Sequence, residues 1–469
     1  MKKIKIVLII LTLVSSSYAV TALSKNDFGY NNIQYIDEFD LLIIAPNDFS
    51  IEIQPLMDHK NNHDVKTYLM TTNDIYSEFE GRDDAEKIKN YIKYAIETYN
   101  IKYVLLIGGR VRQSFNWYIP PRYSKLDDDF IDKEFLSDLY YADVYKENGD
   151  FEDWDSNGND IFGEWGLFSG DKIDLVPDIS LGRLPCRNKN EVEDIVNKII
   201  YYEENSYDAG WLKKILLIGG DTNPNIGDPF PYEGEVTCDW LIQYLDGFSV
   251  TKLYVSDHTL SNTNDFISEF NNGFGLVCYH GHGLTDRMET YYPDSQNTVA
   301  WMYNSNVSEL NNNGMYPIMV VGCCLTTSFD VGIFDFLLFS KNKERFQNYN
   351  LLGYRYRYVS DCIGWNMVKK PDGGSIAHIG CSSTAYGFVG DSNLDDIPDS
   401  VQNGMTSGLC NEFFRIYGVE GERILGNIFS EALSNIIINH SGRNDKLQCK
   451  CIQEFQLIGD PSLIIGGYP

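Results

Sequence analysis

Two of the seven histidines in this 469-residue chain lie one residue apart, and two of its ten cysteines are adjacent. His280 and His282 stand near the end of the apolar run GLVCYHGHG, and Cys323 and Cys324 end the run PIMVVGCC. A thiol beside an imidazole is the pair that thiol nucleophiles require, because the base removes the proton and stabilises the thiolate. If the two runs are neighbouring strands of a parallel sheet, both side chains reach the same edge.

Three interpretations of these four residues are open from their types and spacing. They could form a zinc tetrad, since His280 and His282 share one face of a strand, although Cys323 and Cys324 then face opposite ways. They could be ordinary core residues. Alternatively, His282 and Cys324 form a catalytic dyad, in which the glycines beside His282 leave room for a substrate backbone and the amides of Gly283 and Cys324 face a developing oxyanion.

The elements that must position these residues are short buried strands alternating with amphipathic helices. Apolar residues repeat at helical spacing over 88–99 and 192–200, between strand-like runs rich in β-branched residues. This alternation predicts an α/β fold with largely parallel sheets, made of two halves that meet near residue 209. The strand-like runs are LLIIAP (41–46), YVLLIGG (103–109), ILLIGGD (215–221), GLVCYHGHG (275–283), PIMVVGCC (317–324) and SIAHIG (375–380).

The amino-terminal segment and the charge restrict where the protein works and what it binds. Residues 1–22 carry three lysines, an apolar stretch and small residues in the order that predicts a secretory signal peptide. We therefore expect a secreted, extracellular protein with no membrane span, because no later run reaches the ~20 apolar residues that a span needs. The net charge of −29 becomes −32 without that segment, which disfavours nucleic-acid partners.

The motifs YHGHG (279–283) and VVGCCLTTSFD (320–330) resemble the histidine and cysteine motifs of the gingipain-type cysteine peptidases. The resemblance runs in order from about residue 38 to 468. It implies a caspase-like α/β fold with two adjacent open, mostly parallel sheets flanked by helices. Four further segments support it: SDLYYADV (137–144), ISLGRLPCRNKNEVEDIVNKIIYYE (179–203), GGSIAHIGCSSTAYG (373–387) and FQLIGDPSLII (455–465).

The resemblance also assigns roles to individual residues. Cys324 matches the nucleophile and His282 the catalytic histidine, and Asp221 matches the carboxylate that orients the imidazole. We expect preference for Arg or Lys before the scissile bond, with Glu233 and Glu235 as the nearest acids available to bind the cation.

A separate acidic loop, DWDSNGNDIFGE (153–164), satisfies the spacing of a calcium-binding loop. Oxygen donors at fixed intervals, with glycine at the sharp turn, are what Ca²⁺ requires. The predicted ligands are Asp153, Asp155, Asn157, Asn159 and Glu164. Without clear flanking helices, a calcium loop between strands is expected rather than an EF-hand, and a solvated acidic turn is the alternative.

The sequence thus predicts a secreted cysteine endopeptidase that hydrolyses protein or peptide substrates through an acyl-enzyme, without an organic cofactor. Two alternatives are a non-catalytic, calcium-stabilised surface-binding module and a transpeptidase that uses the same dyad. The predicted organisation is a signal peptide (1–22), a short spacer (23–37), an amino-terminal α/β subdomain with the calcium-type loop (38–208) and a catalytic subdomain (209–469).

Overall fold

Ten strands from both predicted halves join in one sheet in the computed structural model of the chain. The structure describes residues 38–126, 134–165, 170–224, 230–292, 295–333, 359–439 and 445–469. The predicted signal peptide (1–22) and spacer (23–37) lie outside the described residues. Among the residues that are described, no helix is both long enough and apolar enough to cross a bilayer.

Sixteen strands are described, and all six strand-like runs of the sequence are among them. Strands β1, β3 and β10 are buried at every position, as the unbroken apolar runs predict for strands covered on both faces. The strands are β1 (Leu41–Ala45), β2 (Thr67–Thr71), β3 (Tyr103–Ile107), β4 (Arg122–Leu126), β5 (Glu134–Ser137), β6 (Glu164–Trp165), β7 (Ser180–Leu184), β8 (Lys214–Gly219), β9 (Ser249–Tyr254), β10 (Leu276–His280), β11 (His282–Leu284), β12 (Arg287–Tyr291), β13 (Thr298–Tyr303), β14 (Ile318–Gly322), β15 (Ala377–Cys381) and β16 (Phe455–Ile458).

The two helices predicted from apolar spacing are present, and both begin at a capping side chain. The Asp83 carboxylate accepts the amide of Glu86 at the start of one, and the Asn188 side chain accepts the amide of Glu191 at the start of the other. The described helices are α1 (Ser50–Asn62), α2 (Thr72–Glu78), α3 (Asp84–Tyr99), α4 (Leu139–Ala142), α5 (Lys189–Asn205), α6 (Glu233–Trp240), α7 (Thr263–Phe270), α8 (Ile363–Lys369), α9 (Asp399–Gln402), α10 (Met405–Arg415), α11 (Leu425–Asn439) and α12 (Lys446–Glu454).

The strand order explains how the two halves are joined. It runs β2-β1-β3-β7-β16-β15-β14-β10-β8-β9, and neighbouring strands are parallel except for the antiparallel pair β15 and β16. The predicted α/β class with largely parallel strands is confirmed, but the two adjacent sheets that the resemblance implied are one continuous sheet. The reason is β16, which returns from the end of the chain and pairs with β7 on one side and β15 on the other. Two smaller three-stranded sheets, β11-β12-β13 and β5-β4-β6, accompany the large one.

Candidate active site

The ends of β10 and β14 bring the histidine and cysteine motifs together. The two strands are parallel neighbours, with His280 opposite Gly322, so the residues that follow each strand leave the sheet at one edge. His282 and Cys324 both line a cavity of about 170 Å³ at this edge, here called the cleft. The predicted juxtaposition of the two strands is therefore present in the structure.

Cys324 is held by a segment that follows the next strand of the sheet. Its Sγ accepts the backbone amide of Ala385, at 3.2 Å, and the thiol lies 3.8 Å from the carbonyl oxygen of the same residue. Burial raises the pKa of the Cys324 thiol to about 11, and the Ala385 amide acts in the opposite direction. The next residue, Leu325, has a φ of 62°, a left-handed conformation that costs energy for a bulky side chain. The thiol therefore needs a base to react at neutral pH.

The His282 ring is oriented by a backbone carbonyl. Its Nε2 lies 2.9 Å from the carbonyl oxygen of Thr222. Because a carbonyl only accepts, Nε2 carries the proton and donates it, which leaves Nδ1 with the lone pair of a base. The Tyr279 hydroxyl donates to the His282 carbonyl at 2.9 Å, and the Tyr291 ring packs edge-on against the imidazole. These contacts fix both the backbone and the ring of His282.

Asp221, which was predicted to orient the imidazole, lies in the turn that follows β8, and its role stays a prediction. Its carboxylate accepts the amide of Asn223 at 2.8 Å, and its carbonyl accepts the Thr290 hydroxyl at 2.8 Å. Thr222, one residue later, contacts the imidazole, because the chain turns after β8 and directs a main-chain oxygen toward the ring. Asp221 therefore shapes the turn that presents the orienting carbonyl.

Gly283 occupies a position with no room for a side chain. A Cβ at this residue would lie 2.2 Å from the Cys324 carbonyl oxygen and 2.8 Å from the Cys323 Sγ. The backbone of the histidine motif thus touches that of the cysteine motif directly. The donation from the Gly283 and Cys324 amides to an oxyanion stays a prediction. The close approach of the two segments is compatible with it, because it brings both residues to one place.

The two acids predicted to bind a cationic substrate lie on different sides of α6. Glu233 lines the cleft, and its carboxylate accepts the amide and hydroxyl of Thr222 at 2.9 and 3.0 Å. Burial raises the pKa of Glu233. Glu235, two residues along the helix, instead accepts the amides of Val255 and Ser256 at 3.0 and 2.9 Å. The Glu235 side chain thus caps the end of β9 and is not among the residues that line the cleft, and its part in substrate binding stays a prediction.

The four residues considered as a zinc tetrad do not converge. Cys323 is buried among the apolar residues on the Tyr279 face of the sheet, whereas Cys278 and the alternating His280 belong to the other face. Within the described residues, the one close group of potential metal ligands includes His280 but neither His282, Cys323 nor Cys324. His282 and Cys324 are therefore separate from this group.

The acidic loop folds in a register shifted by two residues from the predicted one. The Asp155 carboxylate, not that of Asp153, accepts the amides of Asn159 and Asp160, at 2.9 and 3.1 Å. Asp160 takes the positive φ of 62° at the sharp turn, and Gly158 has a φ of 71°. Asp153 lies 3.1 Å from the Arg82 guanidinium, outside the turn.

The side chains of three other predicted ligands lie close to one another in this register, because two asparagine nitrogens donate to the same carboxylate. The Asn157 and Asn159 amides both reach the Glu164 carboxylate, at 3.4 and 2.9 Å. Arg82 also reaches Asp155 at 2.6 Å and partly compensates the charge. Carboxylate and amide oxygens suit Ca²⁺, so the donor set fits the expected ion with Asp153 removed from it.

Three residues that hold the site were missed in the sequence. Thr222 and Ala385 act through backbone atoms, which leave no mark on residue type. Tyr279 could have been inferred from the glycine beside it. A Cβ at Gly281 would lie 2.3 Å from the Tyr279 hydroxyl oxygen, so the glycine in YHGHG makes room for the tyrosine. The alternation of histidine and glycine could thus have indicated a second side chain in the turn.

Most of the chain is similar in sequence to proteins of a known family. The profile of Peptidase family C25 matches residues 36–465. Gingipain R2 of Porphyromonas gingivalis strain W83 is 24% identical over 308 residues, which cover 64% of this chain and 34% of that protein. Lys-gingipain HG66 of Porphyromonas gingivalis is 24% identical over 225 residues, 45% of this chain and 10% of that protein. The matched part of the chain thus spans about a third or less of the length of these relatives.

Solved structures show the same fold. The complex of the pro- and mature domains of RgpB from Porphyromonas gingivalis superposes with a TM-score of 0.62 at 17% identity, covering 91% of this chain and 79% of that one. The Arg specific cysteine proteinase gingipain R gives a TM-score of 0.60 at 16% identity, covering 92% and 79%. At these identities the likeness concerns the fold alone.

Proposed function

Because this chain belongs to peptidase family C25, whose gingipain members are cysteine proteinases, we propose that it is a secreted cysteine endopeptidase. Cys324 is the nucleophile and His282 the base. The observation that carries the proposal is the cleft at the ends of β10 and β14, where both residues line one cavity. Export is supported by the charged, apolar and small-residue order of residues 1–22.

The geometry supports a specific division of labour. With Nε2 donating to Thr222, His282 takes the thiol proton on Nδ1, and the Cys324 sulfur adds to the scissile carbonyl to form a tetrahedral oxyanion. The imidazolium then returns the proton to the leaving amine, and the C–N bond breaks to leave a thioester. Water, deprotonated by the same imidazole, adds to the thioester and releases the acid and the thiol.

Covalent labelling of the folded, full-length protein tests the proposal. A peptidyl chloromethyl ketone should alkylate Cys324, and peptide mapping should find the adduct there. Cys324→Ser and His282→Ala should lower kcat/KM for peptide cleavage by about 10³-fold or more, because each removes one half of the dyad. Cys323→Ala is the matched control and should keep labelling and turnover. Labelling at another cysteine, or cleavage that survives Cys324→Ser, would overturn the assignment.

We further propose that Glu233 gives preference for Arg or Lys before the scissile bond. Its buried carboxylate lines the cleft, and a fixed carboxylate stabilises a desolvated cation more than any neutral side chain. Glu233→Gln should lower kcat/KM for Arg and Lys substrates about 10–100-fold while changing that for apolar substrates little. Glu235→Gln, on the other side of the helix, is the control. Equal effects of the two substitutions on the preference would contradict the assignment.

We propose Ca²⁺ as a structural ion of the acidic loop, with Asp155, Asn157, Asn159 and Glu164 as side-chain ligands. The proposal is supported by the turn around Asp155 and by the closeness of both amides to Glu164. The ion supplies positive charge to the loop and takes no part in the reaction, since the loop belongs to the amino-terminal half of the sequence.

A further inference from the structure

The face of β10 that points away from Cys323 carries a second group of thiols and imidazole. Cys278 and His280 lie two residues apart on this face, and Cys238 of α6 packs against them. One ligand atom from each of the three residues lies within 4.8 Å of the other two. None of the three is the nucleophile or the base of the dyad.

His280 is the member of this group whose ring nitrogens are buried without a hydrogen-bond partner among the described residues. The residue is 3% exposed. Leaving a buried polar group unsatisfied costs about 1–3 kcal/mol, and a bound ion is one way in which such a group is satisfied. Gly322 makes space for the ring, since a Cβ there would lie 2.3 Å from Nδ1. The fold thus accommodates an imidazole among thiols.

We propose that Cys238, Cys278 and His280 bind one Zn²⁺ ion in the core of the catalytic half. Thiolate sulfur and imidazole nitrogen are the donors that this cation prefers. Binding displaces one proton from each thiol, so the two thiolates and the neutral imidazole balance the charge of the ion. A neutral centre is what a buried position requires, because an uncompensated charge is costly there.

The distances and the surroundings are compatible with this ion. Tetrahedral zinc with Zn–S bonds of about 2.3 Å separates two sulfur ligands by roughly 3.7 Å, so the thiols need to approach by about an ångström at most. At present the Cys238 thiol donates to the Ile218 carbonyl at 3.3 Å, a weak bond that a metal can replace. Cys410 interacts electrostatically with Cys238 and Cys278 but does not belong to the close group of three.

His280 also lines the cleft, together with Thr237 and Ser400. Zinc could reach the group from solvent through the cleft. It would then lie next to the dyad without replacing either member. Since Cys324 is itself a thiol that binds metals, the test uses the full-length Cys324→Ser protein.

The experiment measures metal content and the cobalt spectrum of that protein. We expect about one zinc per chain after gel filtration, and Co²⁺ exchange should produce sulfur-to-cobalt charge-transfer absorption in the near ultraviolet. Adding Cys278→Ser or His280→Gln should lower bound zinc at least tenfold. Cys186→Ser and His378→Gln are matched controls at buried positions outside the group, and both should retain it.

If the ligand variants fail to fold, the alkylation of Cys238 and Cys278 can be measured in the protein that keeps all three ligands. Bound zinc should protect Cys238 and Cys278 from alkylation, and removing zinc with a strong chelator should abolish this protection. Two results would overturn the proposal. One is a metal-free protein from zinc-supplemented medium in which both thiols react without protection, and the other is a Cys238–Cys278 disulfide in non-reducing peptide maps.

Discussion

Two strands of the sheet end in the same tripeptide, Ile-Gly-Gly, and use it differently. At the end of β3, the Gly108 carbonyl accepts a hydrogen bond from the guanidinium of Arg183 at 2.8 Å. That guanidinium is 1% exposed and pairs with Asp138. At the end of β8, the Gly220 carbonyl accepts the amide of Gly234 from α6. The first turn is closed by a buried ion pair and the second by a helix.

The difference shows how one local sequence serves either structure or chemistry. In the first turn, the buried pair of Arg183 and Asp138 covers the end of β3, so this strand end stays in the interior of the protein. The helix of the second turn holds Thr222 through the Glu233 carboxylate, and the Thr222 carbonyl is directed to His282 in the cleft. The two turns thus differ in the group that donates to the glycine carbonyl, which is the Arg183 guanidinium in the first and the Gly234 amide in the second.

The largest effect is expected on the reactivity of Cys324 when its base is removed. With a pKa near 11, about one thiol in ten thousand is ionised at pH 7, and the ionised fraction rises with pH. In His282→Ala, alkylation of Cys324 by iodoacetamide should therefore rise about tenfold per pH unit from 7 toward 11. In the wild-type protein, proton transfer to His282 should make alkylation at pH 7 about 100-fold faster or more. Mass mapping of the alkylated residue at each pH provides the measurement, and superimposable profiles would show that His282 does not activate the thiol.

The next prediction separates the two turns by stability. Arg183→Met should lower the free energy of unfolding by about 3–5 kcal/mol, because it leaves the Asp138 carboxylate buried without its partner. Turnover per folded molecule should stay near that of the wild type, since the first turn does not reach the cleft. Denaturant titration gives the stability, and active-site titration gives the folded fraction.

Asp221→Asn is the counterpart in the second turn. An amide oxygen can still accept the Asn223 amide, so stability should change by less than about 1 kcal/mol. We expect kcat/KM to fall about tenfold, because the altered turn presents the Thr222 carbonyl less accurately to His282. The two-turn comparison fails if Arg183→Met reduces turnover of the folded protein more than Asp221→Asn does.

Most of the strands that carry the dyad could be predicted because buried parallel strands appear as unbroken apolar runs. Strands β7 and β16 did not stand out in this way. SLGRL contains the buried Arg183, whose partner lies 45 residues away, and FQLI was noticed only through its resemblance to the gingipains. Since β16 joins the two parallel blocks, the two halves predicted from the apolar runs share one sheet, where the resemblance implied two.

The residues of the proposed dyad could be singled out from the sequence, but the contacts that hold them could not. The orienting contact to His282 comes from a main-chain oxygen 60 residues earlier, and any residue type can provide that atom. The donors alone did not fix the register of the acidic loop, because oxygen-bearing side chains alternate from 153 to 159 and the first three ligand positions fit from Asp153 or from Asp155. Glycine at position 158 favoured the first fit, whereas the folded loop uses Asp160 at the left-handed turn.

The smallest effect on catalysis is expected from the acidic loop, which belongs to the other half of the sequence. If Ca²⁺ binds only the folded state, a hundredfold excess over its Kd adds about 2.7 kcal/mol, or roughly 3 °C in Tm for a chain of this length. Chelation should lower the Tm of the wild type by that amount. Because Asp155 and Glu164 also meet Arg82 and Lys125, their removal costs stability of its own, so the informative quantity is the response to chelator.

The matched variants make this response specific to the loop. Asp155→Ala combined with Glu164→Ala should abolish the shift in Tm on chelation, whereas Asp150→Ala, an exposed acid in the preceding turn, should retain it. Turnover at low temperature should be preserved in both, because the loop contributes no side chain to the cleft. Differential scanning calorimetry with and without chelator measures the shift in protein shown beforehand to contain calcium. If metal-free protein gains no stability from added calcium, the loop is a solvated acidic turn, neutralised by Arg82 rather than by an ion.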